Sequence, residues 1–331
     1  MARLRYLTPF AFLVLLPIGG WLGGAWTFLA AVATPLGLAS LDAMLGEDKG
    51  RADPAEARTP RWIPRIYIVL QLAANAWGAM LVANPSTDLL EATGLIVSAG
   101  VTTGVFGFVA AHEMIHSRSS RERALGLTFL ASAFYMHFRI AHLHGHHRRA
   151  ATFDDPASAR LGEGLYAFLF RSIVGQFREA WTFEARRSRR NRMVLYLATE
   201  GGFLLSVALF SWRALLFVIA VALIAVTLLE SFNYVAHYGL TRRMDARGGL
   251  EGLGPHHSWN SERRMNNASL FNMGRHSDHH KRASRSYEGL EPIAASAELP
   301  SGYAAALLTA LVPALWRRVM DPRVRGAMPR I

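Results

Sequence analysis

All thirteen histidines of this 331-residue chain fall between His112 and His280, and most sit in three clusters whose spacing suits metal ligation. The first cluster is His112-Glu113-Met114-Ile115-His116. A separation of four puts both imidazoles on one helical face, a turn apart. There they can hold one ion or give one ligand to each of two. Alone, the HExxH pattern also fits a zinc protease with Glu113 as general base. The second cluster is His142-Leu143-His144-Gly145-His146-His147. On a helix His142 and His146 share a face, while His147 is turned by about 100° toward a second ion. His144 points elsewhere and reads as a hydrogen-bonding neighbour. The third cluster, His276-Ser277-Asp278-His279-His280, aligns three rings along one helical side. His237 closes the last apolar stretch, at the same depth as His112 and His116.

Imidazoles packed this closely repel one another once protonated, so something must favour their neutral, lone-pair-donating form, and a metal does so. His112, His116, His142, His146, His147, His237, His276, His279 and His280 make nine candidate ligands. A zinc protease uses three and keeps one position open, which leaves six without a role. Imidazole suits zinc, copper, iron and nickel alike. Nine nitrogens suggest two ions with four or five each and a vacant position, an arrangement open to oxygen chemistry on a redox metal. His137, His144, His256 and His257 stay outside this set. Glu113 and Asp278 are the favoured catalytic carboxylates, and with Asp154 and Asp155 they are candidates to hold ligand rings by hydrogen bonds. Glu230 and Asn233 lie within two turns of His237 and are expected to orient its ring. Asp42 is an ionisable residue in apolar sequence, hence a functional candidate or a partner of Arg61, Arg65 or His256.

The elements that position these residues follow from composition. Hydrophobic residues make up 51% of the chain and charged ones 18%, against about a quarter charged in soluble domains. Cysteine is absent, which excludes disulfides, thiolate nucleophiles, iron–sulfur clusters and cysteine-ligated zinc or haem. Apolar blocks near 7–22, 26–45, 66–82, 93–111, 199–211 and 214–236 read as six transmembrane helices, the last two split at Ser211-Trp212-Arg213. The first block has a basic start like a secretory signal, but a second span follows at once, which favours a helical hairpin. The block 125–138 is shorter than the ~17 residues a span needs. If it crossed, the histidine clusters would be divided between two faces, so it is expected to be a buried or re-entrant helix.

The net charge is +12, and only Lys49 and Lys281 are lysines. Arg3, Arg5, Arg51, Arg58, Arg61, Arg65, Arg118, Arg121, Arg123, Arg186, Arg187, Arg189, Arg190 and Arg192 fall on the histidine side, and Arg213 alone on the other. That asymmetry puts the histidines and both termini in the cytoplasm. It also explains the basic excess as topology, and no aromatic-interleaved basic patch supports nucleic-acid binding. The expected fold is an all-α integral membrane protein. A single domain carries six transmembrane helices and a cytoplasmic histidine-rich helical catalytic region over 112–198 and 237–331.

The ordered set of boxes resembles the membrane fatty acid desaturase and hydroxylase superfamily, and within it the alkane monooxygenases. The resemblance rests on Gly145-His146-His147 followed by Thr152 to Glu163, on Asn233-Tyr234 with His237-Tyr238-Gly239-Leu240, and on His257-Ser258-Trp259-Asn260. It continues through Arg275-His276-Ser277-Asp278-His279-His280 and Leu299-Pro300-Ser301-Gly302-Tyr303, and covers most of the chain from Leu41-Asp42 to Trp316. It implies two non-haem iron ions held by the nine histidines, with dioxygen as co-substrate, and hydroxylation of the terminal methyl of medium or long n-alkanes to 1-alkanols. It also implies a bacterial inner membrane and electrons from rubredoxin, reduced by an NAD(P)H-dependent reductase. The chain has no GxGxxG after a strand pattern, so electrons are expected from a partner. Family members commonly carry glutamate where this chain has Ala141 and Ala236, and glutamine where it has Gly274. Alternatives of the same chemistry are a xylene-type aromatic methyl monooxygenase and a membrane fatty acid desaturase. An intramembrane zinc protease leaves most histidines unexplained, and a transporter would place its ionisable residues at the bilayer midplane.

Overall fold

A computed structural model describes residues 2–50, 61–187, 191–243 and 249–327. Arg51, Arg58, Arg189 and Arg190 lie outside the described residues. Among the described residues, six helices are long and apolar enough to cross a membrane: α1 (Leu4–Leu22), α2 (Gly24–Leu45), α3 (Trp62–Ala83), α4 (Leu89–Ile115), α8 (Arg192–Phe210) and α9 (Trp212–His237). Between and after them lie α5 (Ser120–Ser132), α6 (138–149) and α7 (Leu165–Arg187). The C-terminal part adds α10 (Arg264–Ser269), α11 (His276–Lys281), α12 (Tyr303–Ala310) and α13 (Pro313–Ala327). Among the described residues, strands are confined to a two-residue parallel pair, β1 (Trp259–Asn260) with β2 (Ala297–Glu298). The all-helical membrane architecture expected from the apolar blocks is borne out.

Each turn has a local cause. Gly23 and Gly24 both have positive φ, a conformation that glycine adopts without steric cost, and Gly24 N–H donates to the Glu91 carboxylate at 2.8 Å. Ser211 is extended, and its hydroxyl accepts from Ala214 N–H to start α9. Arg213 donates to the Val82 carbonyl at 2.7 Å, so the lone arginine of that rim closes the end of α3.

The block 125–138 is corrected in one respect. It is not one helix: α5 ends at Ser132, Phe134 has φ 52°, and a turn leads into α6. At thirteen residues, α5 is too short to cross. It packs beside the end of α4, with Phe129 and Leu130 buried.

Two helices depart from α geometry where function would sit. Thr103–Gly107 is a π-turn inside α4, flanked by a buried amide layer in which Gln71 Nε2 donates to Thr102 Oγ1 and Thr103 Oγ1. Ala141–His146 is a second π-turn, within α6.

The C-terminal part is tied to the bundle by buried polar groups. Asp42 of α2 accepts from Asn266 N–H at 2.7 Å, so it anchors α10 and is not the partner of Arg61, Arg65 or His256. Arg275 is buried and reaches Glu262 at 3.1 Å, the Leu290 carbonyl at 2.7 Å, and the Asp48 and Gly50 carbonyls at 3.0 Å. Its guanidinium, with five fixed donors, joins the loop after α2 to the segment before α11.

Candidate metal centre

The nine histidines singled out by spacing converge at one end of the bundle, in two sets. His112, His116, His142, His147 and His279 form one, and His146, His237, His276 and His280 the other; within each, the candidate ligand atoms lie within 4.8 Å of one another. In the first set His142 Nε2 is 2.8 Å from His112 Nε2 and 3.0 Å from both His116 Nε2 and His147 Nε2. In the second, His237, His276 and His280 approach through Nε2 at 3.1–3.2 Å.

The π-turn decides who joins whom. An α-helical register pairs His142 with His146, but the wider turn brings His142 and His147 into one set and sends His146 to the other. His142 and His146 remain stacked, with ring centroids 5.4 Å apart. On α11 the α register holds: His276 and His280, one turn apart, share a set, and His279 turns to the other. His112 and His116, also a turn apart, serve the same set.

A metal fits these groups. A neutral imidazole has one donor and one acceptor nitrogen, so nitrogens meeting several others at one point cannot all be hydrogen-bonded. His146 Nε2 is buried without a hydrogen-bond partner. Ligand nitrogens at about 2.1 Å from an ion stand about 3 Å from their neighbours, which is the observed separation. Burial, reinforced by neighbouring rings, holds His116, His142, His147, His276, His279 and His280 well below the ordinary histidine range. They are therefore neutral and ready to donate at neutral pH.

The groups behind the rings differ from a reading of spacing alone. Asp155 is buried and accepts from His146 Nδ1–H at 2.8 Å, from Ser158 Oγ–H at 2.6 Å and from Ala157 N–H at 3.1 Å. Burial pushes its carboxyl up, but His146 and Ser158 outweigh that and hold it below the usual range. With Nδ1 protonated, His146 presents a lone pair at Nε2. Asp154, its neighbour, is exposed. His237 Nδ1–H donates to the His257 carbonyl at 3.2 Å, a backbone acceptor that no side-chain pattern announces. Glu230 instead accepts from Tyr135, Ser172 and Gln176 at 2.6–2.9 Å and joins α7 to α9. Asp278 turns from the rings to pair with Arg282 at 3.2 Å and Arg285 at 3.5 Å, and accepts from Glu291 N–H at 3.0 Å. Glu113 is buried and pairs with Arg61 at 2.9 Å.

The remaining histidines lie apart. His137 packs between Tyr135 and Phe177, and His144 stacks on Phe183. His257, with His256 and Glu251, forms a third group of ligand type. Its two nitrogens are already used, by Gly254 N–H at 2.8 Å and Glu251 at 3.0 Å.

A cavity of about 250 Å³ opens at the rings, with His112, His142 and His276 in its wall. The rest is almost wholly apolar, including Val101, Phe108, Leu228, Phe232, Leu307 and Leu311. The part contributed by α12 was not foreseen, because an eight-residue apolar helix leaves no span-length signal.

Comparison with known proteins fits this geometry. The fatty acid desaturase family model matches residues 89–308. Alkane 1-monooxygenase 1 of Pseudomonas aeruginosa is 38% identical over 321 residues, covering 91% of this chain and 84% of that protein. Alkane 1-monooxygenase of Acinetobacter baylyi is 33% identical, over 86% of this chain and 73% of its own length. The chain belongs to the alkane 1-monooxygenase family. A more distant relative is the xylene/toluene monooxygenase hydroxylase component of Pseudomonas putida, 28% identical over 93% of this chain.

Membership puts the departures of this alkane monooxygenase family member in physical terms. Gly274 has no room for a side chain, since a Cβ would collide with Asn266, Asn267 and the Ser261 carbonyl. Ala141 and Ala236 are fully buried. Ring support here comes from Asp155 and the His257 carbonyl, without a carboxylate at either alanine.

Proposed function

We propose that this protein hydroxylates the terminal methyl of n-alkanes to 1-alkanols, using dioxygen at two non-haem iron ions held by the five-ring and four-ring histidine sets. The observation that carries the reading is the apolar cavity ending at those rings. The chemistry that such ions supply when bound is activation of dioxygen for attack on an unactivated C–H bond. The chain's own contribution is binding, orientation and dryness. Phe108 and Phe138 line the cavity beside His112 and His142, where they keep water from the reacting end. His146 and His237 are fixed in one tautomer by Asp155 and the His257 carbonyl.

Affinity comes from burying alkyl surface, at about 25 cal/mol per Å². From His112 to Val101 the cavity follows α4 for eleven residues, about 16 Å. An extended alkyl chain advances slightly less per carbon than a helix does per residue, so the cavity suits alkanes of about a dozen carbons. Substrate enters from the bilayer of a bacterial inner membrane with the histidine end cytoplasmic, as the arginine asymmetry supports. Electrons come from rubredoxin and its NAD(P)H-dependent reductase.

The test places the protein in a host with rubredoxin and its reductase, beside a His279→Ala control. The host is fed an n-alkane ladder plus a xylene, and products are read by gas chromatography–mass spectrometry. A 1-alkanol from the intact chain alone supports the reading. A benzylic alcohol moves it to the xylene branch. Iron at about two per chain with no oxygenated product sinks it and turns the search to fatty acyl desaturation.

A further inference from the structure

Resting on the oxygenase reading, we infer that Tyr238, hydrogen-bonded to Asp321, is a redox residue that drains oxidising equivalents from the ring sets when no alkane fills the cavity. Tyr238 directly follows the ligand His237 in the chain, and its ring is buried. With Tyr234 and Trp316 it closes a triangle of aromatic rings, whose centroids stand 5.2, 5.4 and 5.7 Å apart. Rings at such separations are in contact, and an electron crosses between them without a mediator. Tyrosine and tryptophan are also side chains that a strong oxidant can oxidise by one electron. In a chain without cysteine, no thiol competes for that role.

The proton decides which ring is the sink. A phenol that loses an electron becomes a strong acid, so it is oxidised most easily where its hydroxyl already donates to a base. Tyr234 and Tyr303 donate to the Glu163 and Trp259 carbonyls at 2.7 and 2.6 Å, and a backbone carbonyl accepts a hydrogen bond without keeping the proton. Tyr238 donates to Asp321 Oδ1 at 2.7 Å, and a carboxylate can keep it. Gly162 N–H donates to the same phenol oxygen at 3.0 Å, which leaves the hydroxyl hydrogen for Asp321. Tyr135 also donates to a carboxylate, Glu230, at 2.9 Å, but both are sealed inside the bundle. Asp321 is half-buried and Gly162 exposed. The hydroxyl end of Tyr238 therefore lies at the rim, within reach of a small reductant.

The electrons balance. Two electrons and two protons reduce one atom of dioxygen to water and leave a two-electron oxidant at the ring sets. With no C–H bond to attack, that oxidant takes one electron from Tyr238, whose hydroxyl proton passes to Asp321. A small thiol from solvent returns an electron to the tyrosyl ring, and Asp321 returns the proton. A second pass delivers the second electron, two protons from solvent complete the second water, and two thiols end as one disulfide.

The experiment uses the full-length, iron-loaded protein in lipid nanodiscs, reduced by rubredoxin and its reductase under dioxygen without alkane or thiol. Samples frozen during oxygen uptake are read by electron paramagnetic resonance, on protein made with ordinary or ring-deuterated tyrosine. The intact chain should give a radical signal that narrows with the deuterated ring, and saturating alkane should abolish it. Tyr238→Phe keeps the ring and its packing, and should lose the signal at unchanged iron content. Asp321→Asn keeps a hydrogen-bond acceptor without the base, and should lose most of it. In both variants, peptide mass spectrometry should find the ligand histidines oxidised severalfold faster than in the intact chain. Oxygen uptake with no tyrosine radical, or with a radical that survives Tyr238→Phe, overturns the proposal. Absence of oxygen uptake by the iron-loaded, reduced protein instead fails the oxygenase reading and the relay with it, and an oxygen electrode tells the two failures apart.

Discussion

At the scale of single residues, adjacent carboxylates have opposite fates. Asp155 holds His146 in the tautomer that frees Nε2, while Asp154 is solvated. Asp155→Asn should lower iron retention or turnover by about 10- to 100-fold, as losses behind ligand histidines do, and Asp154→Asn should leave both unchanged. Iron per chain after dialysis against a chelator separates the two. Glu179 offers a pH test. Burial, opposed by Arg149, raises its carboxyl to about 7. The folded chain therefore binds a proton that the unfolded chain has released over the window from about 4.5 to 7, and stability falls as pH rises through that window. Glu179→Gln removes this dependence, so its melting temperature relative to the parent should climb between pH 5 and pH 8. A constant difference would mean that Glu179 stays ionised in the fold.

At the scale of elements, the π-turn of α6 is the feature on which the division of the nine rings into two sets depends. Gly145 sits in it, where a Cβ would press into the Glu179 carboxylate. The Glu179 carboxylate is the far end of a flexible side chain, so Gly145→Ala should displace it from Arg149 at a cost of about 1 kcal/mol or less, and Glu179→Ala in the same chain should remove that cost. A double-mutant cycle on thermal stability checks the non-additivity. This element also marks the boundary of what the sequence made legible. The nine rings were identifiable because so many imidazoles at helical spacings have few other uses. Their division into five and four was not, because the spacing of His142, His146 and His147 is read in an α register. Backbone acceptors were equally hidden: the His257 carbonyl behind His237 depends on a loop twenty residues away. Asp278 and Glu230 misled for the same reason. Their proximity in sequence to a ligand suggested a ring partner, and tertiary packing gave them to arginines and to α7.

At the scale of the whole molecule, the proposed function makes the depth of the cavity a gauge of substrate length. Val101 lies farthest along α4 from the rings, so Val101→Trp should shorten the longest n-alkane oxidised by several carbons and leave shorter ones nearly unaffected, because a methylene contributes its ~0.8 kcal/mol only where it fits. Product profiles over the alkane ladder would show whether the cut-off moves. The six spans were legible from composition, down to the break at Ser211. The closing wall from α12 was not, since short apolar helices beyond the last span carry no distinctive length. Both ring sets, moreover, take a member from α11, which follows the sixth span in the chain. While a ribosome is still threading that span into the bilayer, neither set is complete. Maturation is therefore ordered by synthesis, with insertion first and metal second. A cell starved of the metal should accumulate fully inserted but unloaded protein, which metal supplied later should activate without new translation.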